Sequence, residues 1–230
     1  MLAPLNALYP QLSPTGTVLD LGCLGFHQVG EAQRAGRAEM RHFGVDYVNP
    51  AGEVPPGFVF RKVDLSRAPI PFEDDFFDLV VASHILEHLT NPVEFFGECV
   101  RVSKPSGRIY IETPSERSLW LPGMPFAHDS FFSLSFYDDP THTMRPWTPQ
   151  SLHRLTRYYG CEPVTTGYRT SWKHQVAFPV VMPLAVITRN AALLEKSCRF
   201  ALGWSSYLIA RKPENAKGAQ AFNYYIPSAR

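Results

Sequence analysis

Val18-Leu19-Asp20-Leu21-Gly22-Cys23-Leu24-Gly25-Phe26 decides the fold. A run of four residues, three of them apolar, enters a stretch punctuated by two glycines. Such a run is too short for a buried helix and reads as a buried parallel strand ending in a tight turn. Downstream the pattern repeats. Residues 28–40 have helix-forming composition broken by Gly30 and Gly36, and Phe43-Gly44-Val45-Asp46-Tyr47 is then a second strand that ends at a carboxylate. Residues 58–63 form a third strand, followed by Asp64, and Phe77-Asp78-Leu79-Val80-Val81-Ala82 forms a fourth. Residues 91–103 place apolar side chains at helical spacing, with Pro92 suited to a first turn. Lys104-Pro105-Ser106-Gly107 is a turn, and residues 108–112 are a fifth strand. Strand, helix and strand repeated in this order require a parallel sheet joined by right-handed crossovers.

The second half is built differently. Prolines and aromatics crowd residues 115–150 with little periodicity, the pattern of a functional lid or of a misread regular element. Residues 150–159 return to a helical pattern, residues 207–210 form a late strand, and the tail from Lys212 is loosely ordered. The most apolar stretch, residues 176–187, falls short of the roughly 20 residues of a membrane span and carries Pro179 and Pro183 before Arg189 closes it. It is buried or forms a cap, with a surface that meets lipid-linked substrates as the alternative. Residues 172–204 form a helical cap or a contact between two copies of the chain.

Composition sets the remaining bounds. A chain of 230 residues with 45% hydrophobic content holds one domain over residues 1–230 with ample core. A net charge of +1 without a basic arm argues against nucleic acid as partner. Cys23, Cys99, Cys161 and Cys198 are far apart and include no C-x-x-C pair, which fits a reduced cytoplasmic setting. Residues 1–10 lack the basic start and long apolar core of a secretory signal, and no segment qualifies for integral membrane association.

Ligands of open α/β sheets sit outside the carboxyl ends of the strands. Gly22 and Gly25 let the backbone approach a ligand there. Asp46 at the second strand's end can accept both hydroxyls of a ribose, and Asp64 after the third can accept from an adenine amino group. Each is equally a turn or cap residue taken alone. At these positions the chain resembles the class I S-adenosylmethionine (SAM)-dependent methyltransferases, type 11 branch, over residues 17–114 and more weakly to residue 210. Val18-Leu19-Asp20-Leu21-Gly22-Cys23 is similar to the family's first motif, Gly44-Val45-Asp46 to its second, and Val63-Asp64-Leu65 to its adenine-side motif. Phe76-Phe77-Asp78-Leu79-Val80 with His84-Ile85-Leu86-Glu87-His88-Leu89 resembles the fourth-strand motif and its helix; residues 101–108 match the turn before strand five. The resemblance implies a Rossmann-like seven-stranded sheet, mostly parallel with an antiparallel last strand, and a cofactor-binding core over residues 15–115. It also implies that SAM lies with its amino-acid end near Asp20, its ribose near Asp46 and its adenine near Asp64 and Leu65. Leu24 and Phe26 stand where the family usually carries glycine, and Leu24 narrows the loop.

Methyl transfer from a sulfonium is an in-line displacement that needs no metal, and an oxygen acceptor of high pKa calls for a general base. His84, at the mouth beyond the fourth strand, is one candidate, with helix capping as its structural alternative. His142 is the other, in Asp138-Asp139-Pro140-Thr141-His142-Thr143-Met144-Arg145-Pro146-Trp147, a segment resembling an acceptor-side loop of some type 11 relatives. There Arg145 clamps an anionic group and Trp147 stacks on a sugar or ring, unless Arg145 simply pairs with Asp138 or Asp139. The expected reaction is methylation of an oxygen on a small molecule such as a sugar or secondary metabolite. A binding or scaffold protein that has lost turnover is the alternative. His84-Ile85-Leu86-Glu87-His88 also spells H-x-x-E-H, the pattern of a zinc hydrolase, but it falls in the family's post-strand segment, so no metal is expected.

Overall fold

A computed structural model describes residues 4–214. Seven strands form one sheet in the order β3-β2-β1-β4-β5-β7-β6. They are β1 (Thr17–Leu21), β2 (Arg41–Asp46), β3 (Val59–Lys62), β4 (Phe77–Ser83), β5 (Ser103–Pro114), β6 (Glu162–Tyr168) and β7 (Ser205–Arg211). Only β7 runs against the rest, pairing antiparallel with both β5 and β6. The Rossmann-like sheet with an antiparallel last strand is therefore as expected. The chain winds outward from β1 through β2 to β3, then returns to β4 on the other side of β1. That reversal opens a crevice between the carboxyl ends of β1 and β4.

All five residues of β1 are buried because both faces of the sheet are covered. Side chains alternate across it. Leu19, Leu21, Val80, Ala82, Ile109 and Ile111 face a core completed by Phe95, Phe96 and Cys99 of α2 (Pro92–Val102) and by Leu152 and Leu155 of α3 (Pro149–Tyr158). Val18, Leu79, Val81 and Tyr110 face the other way, onto Ala32 of α1 (His27–Arg34) and onto Leu5, Leu8 and Tyr9. The N-terminal segment thus belongs to the second core, where the Tyr9 hydroxyl donates to Gln28 Oε1 at 2.8 Å.

Several local expectations need correcting. The first helix stops at Arg34 rather than near residue 40. The turn at residues 104–107 is a bulge inside β5: Ser103 pairs with Phe77, and the ladder resumes at Arg108 opposite Leu79. β6 has no counterpart in the sequence pattern, because Pro163 and Gly167 break it; it survives as an edge strand bonded to β7 alone. Lys212 is not loose. It is buried, and its ammonium donates to the carbonyls of Val100 (2.8 Å) and Ser103 (2.9 Å) and to Asp75 (2.6 Å). The tail beyond Glu214 lies outside the described residues.

Residues 172–204 are largely helical. α4 (Trp172–Ile187) and α5 (Ala191–Leu202) make a hairpin whose Phe178, Met182, Ala185, Leu194 and Cys198 pack on Met124, Phe132 and Leu134 of the segment after β5. The burial expected for residues 176–187 holds only on that side, since Val176, Val180 and Ile187 are exposed. No helix among the described residues is long and apolar enough to cross a membrane.

Candidate active site

A crevice of about 430 Å³ opens at the carboxyl edge of the sheet. Gly22 and Leu24 after β1, Asp46 and Tyr47 after β2, Asp64 and Leu65 after β3, and His84 and His88 after β4 all line it. Its volume lies within the roughly 300–1,000 Å³ of ligand pockets.

Gly22 turns the chain with φ +81°, a left-handed conformation, while its N–H donates to Val45 O at 2.8 Å. Gly25 does not line the crevice. A Cβ there would meet only the end of the exposed His27 side chain, 2.3 Å away, which is free to turn aside. Phe26 takes φ +47° despite its side chain, and its ring meets Phe58 edge-on at 4.8 Å. Leu24 stands at the crevice wall, 44% exposed.

Asp46 is buried and accepts the Val48 N–H at 3.2 Å. Asp20 is buried behind it, and no group among the described residues donates a hydrogen bond to its carboxylate. Burial and then the neighbouring charge of Asp46 push the Asp20 pKa well above the usual range. Two carboxylates held close without a cation form a site that favours a positively charged or hydrogen-donating ligand. Asp64 is more exposed and partly committed: it accepts from Ser66 N at 3.0 Å and pairs with Arg67 at 3.3 Å.

His84 is brought to the crevice, between two buried carboxylates that favour its charged form. It occupies φ +55°, and its N–H donates to Glu112 O at 2.8 Å. Nδ1 lies 3.1 Å from Glu87 Oε1, and Nε2 lies 3.6 Å from Glu112 Oε1. Burial alone would favour neutral imidazole; the hydrogen bonds and charges of Glu112 and Glu87 outweigh it and raise the pKa to about 9. At neutral pH the ring is an imidazolium and has no lone pair to accept a proton. Glu112, buried in a central strand, would by burial alone be neutral, but His84, Arg169 and the Tyr110 hydroxyl hold its pKa at about 2. This ionic centre of His84, Glu112 and Arg169 was missed from sequence. The available signal was a carboxylate in a buried central strand, which needs partners.

His142 is placed differently. Its Nδ1 donates to the Phe136 carbonyl at 2.6 Å, and its Nε2 lies 3.8 Å from Asp139 Oδ2. The ring stacks on Phe136 at 4.4 Å and lies 5.0 Å from the His88 ring. The loop is pinned to the turn after β4, where the N–H groups of Thr143 and Met144 donate to Glu87 O at 2.9 and 3.3 Å. Thr141 lines the crevice, whereas Asp139, His142 and Arg145 line a second groove of about 440 Å³. One turn is thus a wall of both cavities. Arg145 faces this groove and forms no ion pair with Asp138 or Asp139 among the described residues. Asp138 instead accepts the N–H groups of Met124 and Leu134.

Trp147 is a correction. It is buried in the main core rather than open to a ligand, and its indole nitrogen has no hydrogen-bond partner among the described residues. The H-x-x-E-H motif also dissolves, because His84 turns to Glu112 and Glu87 is engaged by His84 and Thr113. Among the described residues, a ligand-capable atom from each of Glu87, His88 and His142 does fall within 4.8 Å of the others. That grouping leaves out the motif's first histidine.

Residues 19–111 match the family model described as a methyltransferase domain. An uncharacterized methyltransferase of Mycobacterium sp. (strain JLS) is 28% identical over 168 residues, 70% of this chain and 61% of that protein. One from Mycobacterium leprae is 27% identical over 143 residues, 59% of this chain and 50% of that protein. Among solved structures, a SAM-dependent methyltransferase of Archaeoglobus fulgidus aligns with a TM-score of 0.58 at 24% identity, covering 90% of this chain and 93% of that one. Residues 19–111 are similar to this methyltransferase-domain family, and the seven-stranded sheet has the class I SAM-dependent methyltransferase fold. The chain spans only about half to three-fifths of the two mycobacterial relatives. The fold agrees also with that of a Burkholderia thailandensis enzyme, 1,6-didemethyltoxoflavin-N1-methyltransferase, at TM-score 0.55 and 16% identity over 91% of this chain and 77% of that one. SAM, the family's cofactor, is a cation at its sulfonium and ammonium. The paired carboxylates Asp20 and Asp46, buried without a counter-charge beside a turn held open by Gly22, fit it.

Proposed function

We propose that this methyltransferase moves a methyl group from SAM to an oxygen of a small-molecule acceptor held in the groove beside His142. Asp46 receives the ribose hydroxyls, Asp64 and the Leu65 backbone flank the adenine, and Gly22 and Asp20 serve the amino-acid end. Bound SAM supplies an electrophilic methyl on sulfur. The acceptor hydroxyl gives its proton to His142 Nε2 as the new O–C bond forms and the S–C bond breaks, its electron pair leaving with S-adenosylhomocysteine. Holding acceptor and methyl in line between the two cavities can supply up to about 7–11 kcal/mol of the barrier reduction. Arg145 orients an acceptor that carries negative charge, such as a sugar acid or phosphate.

The observation that carries this reading is the single turn, Asp139 to His142, that walls both crevice and groove and fixes the His142 ring through its Nδ1 hydrogen bond. Sugars and secondary metabolites suit an aromatic-rich lid, and the Burkholderia enzyme of the same fold binds a small molecule, 1,6-didemethyltoxoflavin, together with S-adenosylhomocysteine. Four buried cysteines with no disulfide among them agree with a cytoplasmic setting. The test is incubation with methyl-tritiated SAM and a panel of hydroxylated sugars and phenols. Transfer of label with release of S-adenosylhomocysteine, lost in His142→Gln, supports the proposal. Tight cofactor binding with no acceptor labelled would favour a scaffold.

A further inference from the structure

Helix α4 carries an apolar face that no described residue covers. Trp172, Val176, Val180, Leu184 and Ile187 recur at helical spacing on one side and are 61%, 73%, 72%, 49% and 80% exposed. Pro179 and Pro183 fall within the same stripe and are exposed too. The opposite side is already spent on the lid segment and α5. A helix apolar all round belongs in a core or in lipid, and half of this one has neither.

The surrounding charge says what could cover it. From Pro163 to Leu194 the chain contains no aspartate or glutamate. Lys173 stands at one end of the stripe and Arg189 just past the other, and neither makes an ion pair among the described residues. Lys173 Nζ lies 6.0 Å from the centre of the Trp172 ring, a cation and an aromatic side by side at the helix start. A two-fold contact through α4 with a second copy is disfavoured by this pattern. Antiparallel pairing sets Lys173 against Arg189 of the other copy, parallel pairing sets Lys173 against itself, and no local carboxylate offsets either. An anionic lipid surface satisfies every part at once. Apolar side chains enter the acyl boundary, tryptophan sits at the interface, and both cations meet head groups.

We infer that α4 seats the protein on the surface of an anionic bilayer as an interfacial helix, without crossing it. Resting on the methyl-transfer reading, the acceptor is then an amphiphile presented at the membrane plane. α4 packs on the lid segment, the same segment that carries Phe136 and His142 to the groove.

The test uses the full, untagged chain with vesicles of phosphatidylcholine, with and without phosphatidylglycerol, read by co-sedimentation and tryptophan fluorescence. Binding to the anionic vesicles is expected, weakened by salt and reduced by about tenfold or more in Val176→Glu/Val180→Glu. Lys173→Glu/Arg189→Glu should erase the preference for phosphatidylglycerol. Both variant pairs alter exposed positions, so circular dichroism and S-adenosylhomocysteine affinity should match wild type. That affinity also separates the two ideas, since vesicle binding can fail while cofactor binding persists. No association with anionic vesicles, or association unchanged in both variant pairs, overturns the inference. So does a dimer in sedimentation equilibrium that Val180→Glu dissolves while vesicles are ignored.

Discussion

Replacing His84 with glutamine removes the one cation that faces both Glu87 and Glu112 at the end of β4. The folded protein holds the His84 proton with a pKa of about 9, against 6.5 ordinarily. Each tenfold difference in proton affinity is worth about 1.4 kcal/mol, so the interval amounts to roughly 3 kcal/mol at most. The imidazole is 31% exposed, and solvent screening brings the working figure to about 2 kcal/mol. Because the proton is bound more tightly in the folded state, this stabilisation is complete below pH 6.5 and fades as pH rises through about 9. The assay is urea unfolding of wild type and His84→Gln at several pH values across that window. The difference between the two proteins should be largest on the acid side of 6.5 and smaller by about 2 kcal/mol above 9. A histidine ring resonance assigned by its loss in the variant should titrate near 9 in wild type. A midpoint near 6.5, or a stability difference that does not change with pH, would refute the ionic centre. It would also return His84 to candidacy as a base.

Asp46→Asn should weaken SAM binding roughly 10- to 100-fold by calorimetry, the cost of two hydrogen bonds to a charged group, with little change in thermal stability. Leu24→Ala should tighten the same binding by about threefold or more, as expected when a crowding side chain is cut back from a cavity wall; unchanged or weaker binding would show that Leu24 is a contact rather than an obstruction. His142→Gln should lower kcat on the order of a hundredfold while leaving cofactor affinity alone, measured by label transfer to an oxygen acceptor. Activity should survive dialysis against a chelator; its loss, restored by zinc, would make His142 a ligand alongside Glu87 and His88 instead of a base.

The central sheet was legible because it obeys local rules. A parallel strand buried on both faces reads as a short apolar run, and β1 and β4 do. The carboxylates at the ends of β1 and β2 were found because charged residues interrupt those runs. What stayed hidden depends on distant partners. β6 is held only by hydrogen bonds to β7, so its Pro163 and Gly167 hid it. Glu112 lies 28 residues beyond His84, and Arg169 lies 57 beyond Glu112, so no local window shows the centre they build. Trp147 was misjudged for a related reason: a tryptophan in a proline-stiffened loop looks like a ligand platform until the loop is seen folding its ring into the core.

The crevice after β1 is the claim on which the rest depends, and calorimetric titration of the purified chain with S-adenosylhomocysteine tests it most directly. One site per chain with micromolar affinity, weakened in Asp46→Asn, is the expected result. Heats no larger than dilution up to millimolar ligand would mean that Leu24 closes the site and that this sheet no longer holds the cofactor of its family.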